Sequence, residues 1–204
     1  MQVIDCIQGS DEWFAARLGK VSASNFGKVM AGGAGKTRKS YMMKLVAERL
    51  TGERQAGFSN ENMENGIERE AEAREYYEAL NRVTVEQVGF IELNDDVGAS
   101  PDGLIGDDGG IEIKCPLAAT HIETILAKKV PTVYIPQIQG NMWVSERDYW
   151  DFVSYHPFVE GYHLWQMRVK RDEEYIKNLA AKVELFVSEL KETIELVRKG
   201  PVLF

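Results

Sequence analysis

Residues 97–116, VGASPDGLIGDDGGIEIKCP, carry two short apolar runs on either side of the turn-forming stretch GDDGG. Asp-Gly and Gly-Gly steps between apolar runs are a strong short-range signal for a β-hairpin. Side chains alternate faces along a strand, which sends Glu112 and Lys114 to one face and Ile111, Ile113 and Cys115 to the other. Two registers are open. A five-residue turn over 106–110 pairs Ile105 with Ile111 and opposes Asp102 to Lys114; a shift of two opposes Asp102 to Glu112. In either register, two carboxylates and an ammonium converge on one face.

That trio suits phosphodiester hydrolysis. Mg²⁺ takes oxygen ligands and is commonly held by one or two carboxylates while it keeps several waters. Asp102 and Glu112, with the carbonyl of Ile113, have the composition to hold one or two such ions. A bound ion polarises a phosphoryl oxygen, acidifies water and neutralises a leaving oxygen. Lys114 adds a cation beside the attacking water or the charge developing on phosphorus. A helix expected over 64–81 offers one more carboxylate. Ala73, Tyr76, Tyr77 and Leu80 form its apolar stripe, with Glu68, Glu72, Glu75 and Glu78 opposite. Glu70 falls on the apolar side, where a carboxylate needs a partner, either a metal or an arginine.

The remaining pattern predicts a mixed α/β domain with a central sheet covered by helices. Ser10 or Asp11 can cap a helix over EWFAARLG, and Ser22 one over ASNFGKVM. Residues 31–40 read as a basic loop, followed by a helix that stops at Gly52. Strands are expected over 83–93, 97–105, 110–116, 149–157 and 162–171, with helices at 119–129 and 136–146. A final helix spans 172–199, its stripe of Ile176, Leu179, Val183, Phe186, Leu190, Ile194 and Val197 reading as intrachain packing. The expected organisation is one domain over 1–204: a helical N-terminal segment (1–81), a sheet-containing catalytic core (82–170) and the C-terminal helix.

Charge is unevenly spread. The net charge is −8, yet residues 1–60 hold nine Lys/Arg against five Asp/Glu, and residues 61–112 hold three against fifteen. A basic first quarter beside an acidic middle suits phosphates in one place and cations in another. Two cysteines and three histidines make no zinc pattern or disulfide framework. No signal peptide or membrane-length apolar run is legible, which predicts a cytoplasmic protein. GGAGKT (32–37) fails as a phosphate-binding loop, because Met30 stands where the first glycine is required. Nucleases with an iron–sulfur cluster on four cysteines are excluded by the cysteine count.

Four blocks in order, EWFAARLGKVSAS (12–24), GIEREAEAR (66–74), SPDG…IEIKCP (100–116) and PQIQGNMWVS (136–145), resemble the phage lambda exonuclease and YqaJ-like viral recombinase family. That family belongs to the PD-(D/E)xK nuclease superfamily, with a restriction-endonuclease-like core. The resemblance implies a Mg²⁺-dependent 5′→3′ exonuclease, with Mn²⁺ as a substitute and two ions per site. Such an enzyme acts on linear double-stranded DNA and leaves a 3′ single strand for recombination. Asp102, Glu112 and Glu70 would be metal ligands, Lys114 the catalytic lysine, and Gln139 a residue near the attacking water. Arg17, Ser24 and Ser100 fall where the family binds the 5′-phosphate, and Lys36, Arg38 and Lys39 are candidates for tracking DNA phosphates. The resemblance further implies a homotrimeric ring, a single-strand annealing partner and a phage or prophage origin in a bacterial cytoplasm. A restriction-like endonuclease and a non-catalytic DNA-end-binding module are the competing readings. His121, His156 and His163 carry no assigned role.

Overall fold

A computed structural model of the chain describes residues 1–31, 35–55 and 61–200, with 61–68 described as backbone only. The first strand, β1 (Gln2–Ile4), leads to α1 (Asp11–Arg17), where Ser10 Oγ accepts from the Trp13 amide at 3.2 Å and caps the helix. Then come β2 (Val21–Ser22) and α2 (Phe26–Met30). The N-terminal region therefore holds two short strands among its helices. Ser22 lies in β2, and its hydroxyl caps no helix because Arg17 and Asn25 engage it. α3 (Lys36–Thr51) begins ahead of its expected start at Tyr41, so Lys36 to Ser40 are helical; residues 32–34 of the expected loop lie outside the described residues. The helix ends at Gly52 in a left-handed conformation, φ +71°.

α4 (Glu61–Asn81) buries Ala73 and Tyr77, whereas Tyr76 and Leu80 are exposed. The expected four-residue stripe narrows because Tyr76 flanks the sheet, beside Tyr155 and His163, instead of lying beneath it. Next come β3 (Val85–Glu86), β4 (Phe90–Asn94), β5 (Val97–Ala99), β6 (Gly103–Ile105) and β7 (Gly109–Lys114). β7 is followed by α5 (Ala118–Ala127), α6 (Ile135–Ser145), β8 (Tyr149–Tyr155), β9 (Leu164–Lys170) and α7 (Glu173–Lys199). A five-stranded mixed sheet runs β3-β6-β7-β8-β9, with β7 and β8 parallel and joined through α5 and α6. A four-stranded mixed sheet runs β1-β4-β5-β2.

The strands expected over 83–93 and 97–105 each break between these two sheets. Breaking a strand frees backbone carbonyls that need donors. Gln8 Nε2 donates to Val88 O at 2.9 Å and Pro101 O at 2.8 Å, and Trp13 Nε1 donates to Gly89 O at 3.0 Å. Close approach reinforces the break, since a Cβ on Gly89 would sit 2.2 Å from Cys6 O. Ser100, Pro101 and Asp102 therefore occupy the seam between the sheets.

The hairpin takes the shifted register, with Ile105 opposite Gly109 and Gly103 opposite Ile111. Glycines 109 and 110 belong to the strand because aromatic rings of β8 lie over them. A Cβ on Gly110 would come within 2.3 Å of the Trp150 ring, and one on Gly109 within 2.1 Å of Tyr149. Arg147 Nη1 locks the shortened turn by donating to Gly106 O at 2.6 Å and Gly109 O at 2.7 Å. One face of β7 buries Ile111 and Ile113 against Ala73 and Tyr77 of α4. The other turns toward α6 and the main core, where α7 buries Ile176, Leu179, Val183, Phe186, Leu190 and Ile194 and leaves Val197 exposed.

Candidate active site

Continuing the ladder one step brings Asp102 opposite Glu112. Asp102 sits just before β6, and its Oδ2 accepts from the Ile113 amide at 2.7 Å. Glu112 is fully buried in the middle of the sheet. Its Oε2 accepts from Asn141 Nδ2 at 3.1 Å. Its Oε1 lies against the Lys114 ammonium in an ion pair, yet has no aligned hydrogen-bond donor. Glu70 approaches from α4, across the sheet from α6, and Arg74 Nη2 donates to its Oε1 at 3.1 Å. With the Gln87 amide oxygen turned to the guanidinium, Arg74 Nη1 also donates to it at 2.9 Å.

Three carboxyl groups share this space with one ammonium and one guanidinium, so their protons are held jointly. Burial, then the Asp102 charge, pushes Glu70 up to about 7, against the pull of Arg74 and Lys114. Burial pushes Glu112 up to about 8; Asp102 and Glu70 add to the shift and Lys114 opposes it. Asp102 is also raised, chiefly by desolvation, despite Lys114 and the Ile113 amide. Burial alone would favour a neutral Lys114, but Glu112 and Asp102 outweigh it and hold the ammonium well above its ordinary range. The Cys115 thiol, pushed up to about 12 by burial and by Glu70 and Asp102, is a poor nucleophile here.

The donor set fits a hard divalent cation. A buried carboxylate oxygen without an aligned donor among the described residues, a second carboxylate opposite it, and carboxyl pKa values raised chiefly by burial and, for Glu70 and Glu112, by neighbouring carboxylates are what such an ion would relieve. Among the described residues no three acidic, histidine or cysteine side chains already enclose a cage. Lys114 and Arg74 occupy Glu112 and Glu70 instead, and an ion that keeps several waters needs only one or two carboxylates.

A carboxyl with a raised folded pKa contributes stability that is complete below its unfolded pKa and is lost as pH rises through the folded value. For Glu70 and Glu112 that window runs from the ordinary 4.5 to about 7 and about 8. A cation needs these groups deprotonated, so it restores stability most where they have lost it. The rise in melting temperature produced by Mg²⁺ is therefore expected to be small near pH ~6 and clearly larger near pH ~8.5, measured by scanning calorimetry. An equal rise at both pH values would contradict this charge balance.

A second constellation adjoins the first across the seam. Arg17 Nη1 donates to Ser100 Oγ at 2.6 Å, and its Nη2 to Ser22 Oγ at 3.4 Å. Its guanidinium lies 4.3 Å from the Trp13 ring centroid, and Trp13 Nε1 donates to Ser100 Oγ at 2.8 Å. Burial lowers Arg17 to about 10, which still leaves it charged, and among the described residues it forms no ion pair. Ser24 reaches Arg17 only through Ser22, at 3.2 Å between the hydroxyls. The cleft here, about 150 Å³, is lined also by Lys20, Asn25, Lys44 and Arg54, and by Glu48, whose carboxylate accepts from the Gly19 amide at 3.2 Å.

Two residues sit elsewhere than expected, Gln139 from the family resemblance and Arg38 as a candidate for tracking phosphates. Gln139 is turned away from the carboxylates: its Nε2 donates to Lys170 O at 2.9 Å, and its Oε1 accepts from Asp172 N at 3.0 Å. Both ends of the amide tie α6 to the start of α7. The face of α6 toward Glu112 is marked by Asn141, and Gln137 lies one turn earlier on it. Arg38 is also engaged, paired with Glu189 at 2.7 Å and lying 4.9 Å from the Phe186 ring centroid, which ties α3 to α7. Lys36 and Lys39 are exposed. Asn141, Arg74, Lys44 and Arg54 were not singled out by sequence, and Ser22 only as a helix cap; only the four-residue spacing of Gln137 and Asn141 hinted at a shared face.

A mixed sheet that presents Asp102, Glu112 and Lys114 at one strand pair, with a helix-borne Glu70 beside them, defines a PD-(D/E)xK core. Residues 12–148 match the model of the YqaJ-like viral recombinase domain, and the chain belongs to that family. It is similar to an alkaline exonuclease, LHK-Exo, from Laribacter hongkongensis: 40% identity, 93% of this chain and 97% of that one covered, TM-score 0.87. The structure of LHK-Exo in complex with dAMP is similar at 41% identity over the same shares, TM-score 0.88. A phage-related exonuclease from Haemophilus somnus 129PT shares the fold at 19% identity, covering 88% of this chain and 95% of that one, TM-score 0.64.

Proposed function

We propose that the chain is a Mg²⁺-dependent 5′→3′ exonuclease that degrades one strand of linear duplex DNA and leaves a 3′ single strand for phage-type recombination. The observation that carries this reading is adjacency. Ser100, bound to Arg17, and Asp102, opposite Glu112, are separated only by Pro101. A pocket for a terminal phosphate thus adjoins a cluster suited to cutting a phosphodiester. The similarity to an alkaline exonuclease supports the same chemistry.

In this reading Asp102, Glu112 and the Ile113 carbonyl, with Glu70 alongside, hold one or two Mg²⁺ ions or Mn²⁺ in their place. The bound cation supplies Lewis acidity toward the phosphoryl oxygen and the leaving 3′-oxygen. Water adds to phosphorus and releases a proton to solvent, the P–O3′ bond breaks, the leaving 3′-oxygen takes up a proton from solvent, and the products are a 5′-mononucleotide and a shortened strand with a 5′-phosphate. Lys114, beside Glu112, is placed to stabilise negative charge on the phosphoryl oxygens. Asn141 fixes the Glu112 rotamer. Arg17, Ser22 and Ser100 hold the 5′-phosphate of the end, with Ser24 at the rim.

We extend the reading to a trimeric ring around DNA, cooperation with a single-strand annealing protein and a cytoplasmic setting. The basic first quarter of an acidic chain supports the ring, since only the surface facing DNA need be positive. Among the described residues no helix is long and apolar enough to cross a membrane. The test is digestion of linear duplexes bearing 5′-phosphate, 5′-hydroxyl or covalently closed ends, with Mg²⁺ or with chelator. Cleavage should need the cation, prefer 5′-phosphate ends and spare closed circles. Equal cutting of closed circles would identify an endonuclease, and end binding without cutting a non-catalytic module.

A further inference from the structure

A second cleft opens beside the Arg17 pocket, and the two share Tyr41 and Lys44. It has a volume of about 350 Å³ and is lined by Lys28, Lys36, Thr37, Ser40, Tyr41 and Lys44. Three lysines and three hydroxyl-bearing residues line it, and among the described residues no carboxylate does, in a chain whose net charge is −8. Among the described residues neither Lys28 nor Lys36 forms an ion pair, and Lys44 has Glu48 at 3.6 Å.

Two of the lysines influence one another. Lys28 Nζ stands 5.4 Å from the Tyr41 ring centroid, and its pKa is lowered by partial burial and then by the Lys44 charge. Lys28, which has no carboxylate partner among the described residues and feels the Lys44 charge, favours an anion beside it. Tyr41 forms the wall between the clefts. Its hydroxyl accepts from the Ser22 amide at 3.3 Å, and burial pushes it up to about 12, so it stays protonated.

We infer that this cleft is a second phosphate subsite, which takes a backbone phosphate of the bound DNA beyond the terminal one held at Arg17. The assignment rests on the DNA reading above. The commitment to a polynucleotide over a free anion follows from continuity with the Arg17 pocket, from the volume, and from the lining. Lysine ends act as mobile point charges suited to a passing backbone, whereas one enclosed phosphate calls for an arginine fork or backbone amides.

The test uses duplex binding to the full chain on a cleavage-deficient Lys114→Ala background, across a salt series. Adding Lys28→Ala and Lys36→Ala is expected to weaken binding about tenfold at low salt and to reduce the log–log salt slope by about 0.9 for each phosphate no longer neutralised. In the wild-type background the same two substitutions should leave the ratio of 5′-phosphate to 5′-hydroxyl cleavage rates unchanged. Lys28→Arg with Lys36→Arg should restore most of the slope, because charge carries the effect. An unchanged slope would overturn the subsite. So would a changed affinity for inorganic phosphate with duplex binding untouched, which would mark a free-anion site. Loss of the 5′-phosphate preference would mean that both clefts form one pocket, and would overturn it too. Failure of the nuclease reading shows separately, as intact linear DNA with the wild-type protein whatever the slope.

Discussion

Lys114→Ala is expected to lower the maximal cleavage rate by about 10²–10³-fold, the usual cost of removing one donor aimed at developing phosphoryl charge. Asp102→Asn should abolish cleavage more completely, because it removes a ligand oxygen's charge while Asn can still accept from the Ile113 amide. Neither substitution should unfold the protein. Without Lys114 the buried Glu112, already raised to about 8, takes up a proton, and Asp102 is a carboxyl whose ionised form the fold disfavours, so its loss relieves repulsion with Glu70 and Glu112. Binding of a 5′-phosphorylated end should persist in both, because Arg17 and Ser100 are untouched. Single-turnover cleavage and end binding, measured on the same preparations, separate the two effects. A Lys114→Ala enzyme that cuts at the wild-type rate would remove the lysine from the chemistry.

Arg17→Ala is expected to erase the preference for 5′-phosphate ends. Charge-assisted hydrogen bonds contribute roughly 1.5–3 kcal/mol each, so kcat/KM on phosphorylated ends should fall about 10–100-fold. Cleavage of 5′-hydroxyl ends should change little. Arg17→Lys should not rescue, because a point charge lacks the planar fork that reaches Ser100 and Ser22 and stacks on Trp13. Stability should change little, since the substitution removes a half-buried charge that forms no ion pair among the described residues. Equal losses on both kinds of end would show that Arg17 supports the fold or the duplex instead of the terminal phosphate.

The convergence of Asp102, Glu112 and Lys114 was legible because strand alternation and a glycine-rich turn are local signals. Its register was not. What selects Ile105 opposite Gly109 is the contact of Gly109 and Gly110 with Tyr149 and Trp150, residues far along the chain. The split of two apparently continuous strands was hidden for the same reason: the donors that satisfy Val88, Gly89 and Pro101 come from Gln8 and Trp13. Rotations of helices about their own axes also escape local pattern. Gln137 and Gln139 look equivalent in PQIQGN until Asn141 is seen to meet Glu112 and Gln139 to meet Lys170 and Asp172. Arg38 looked like a free basic residue until α7 placed Glu189 beside it. Arg17, Ser24 and Ser100 came from family resemblance alone, and the structure ties Arg17 to Ser100 directly but to Ser24 through Ser22.

The most direct test is the anomalous diffraction of a crystal equilibrated with Mn²⁺ at alkaline pH. An anomalous peak is expected between Asp102 and Glu112, within about 2.5 Å of an oxygen of each, with the Lys114 ammonium displaced from Glu112 Oε1. A well-ordered site with Asp102 still bonded to Ile113, Glu112 still paired with Lys114 and no peak between them would contradict the assignment of these carboxylates as the metal centre.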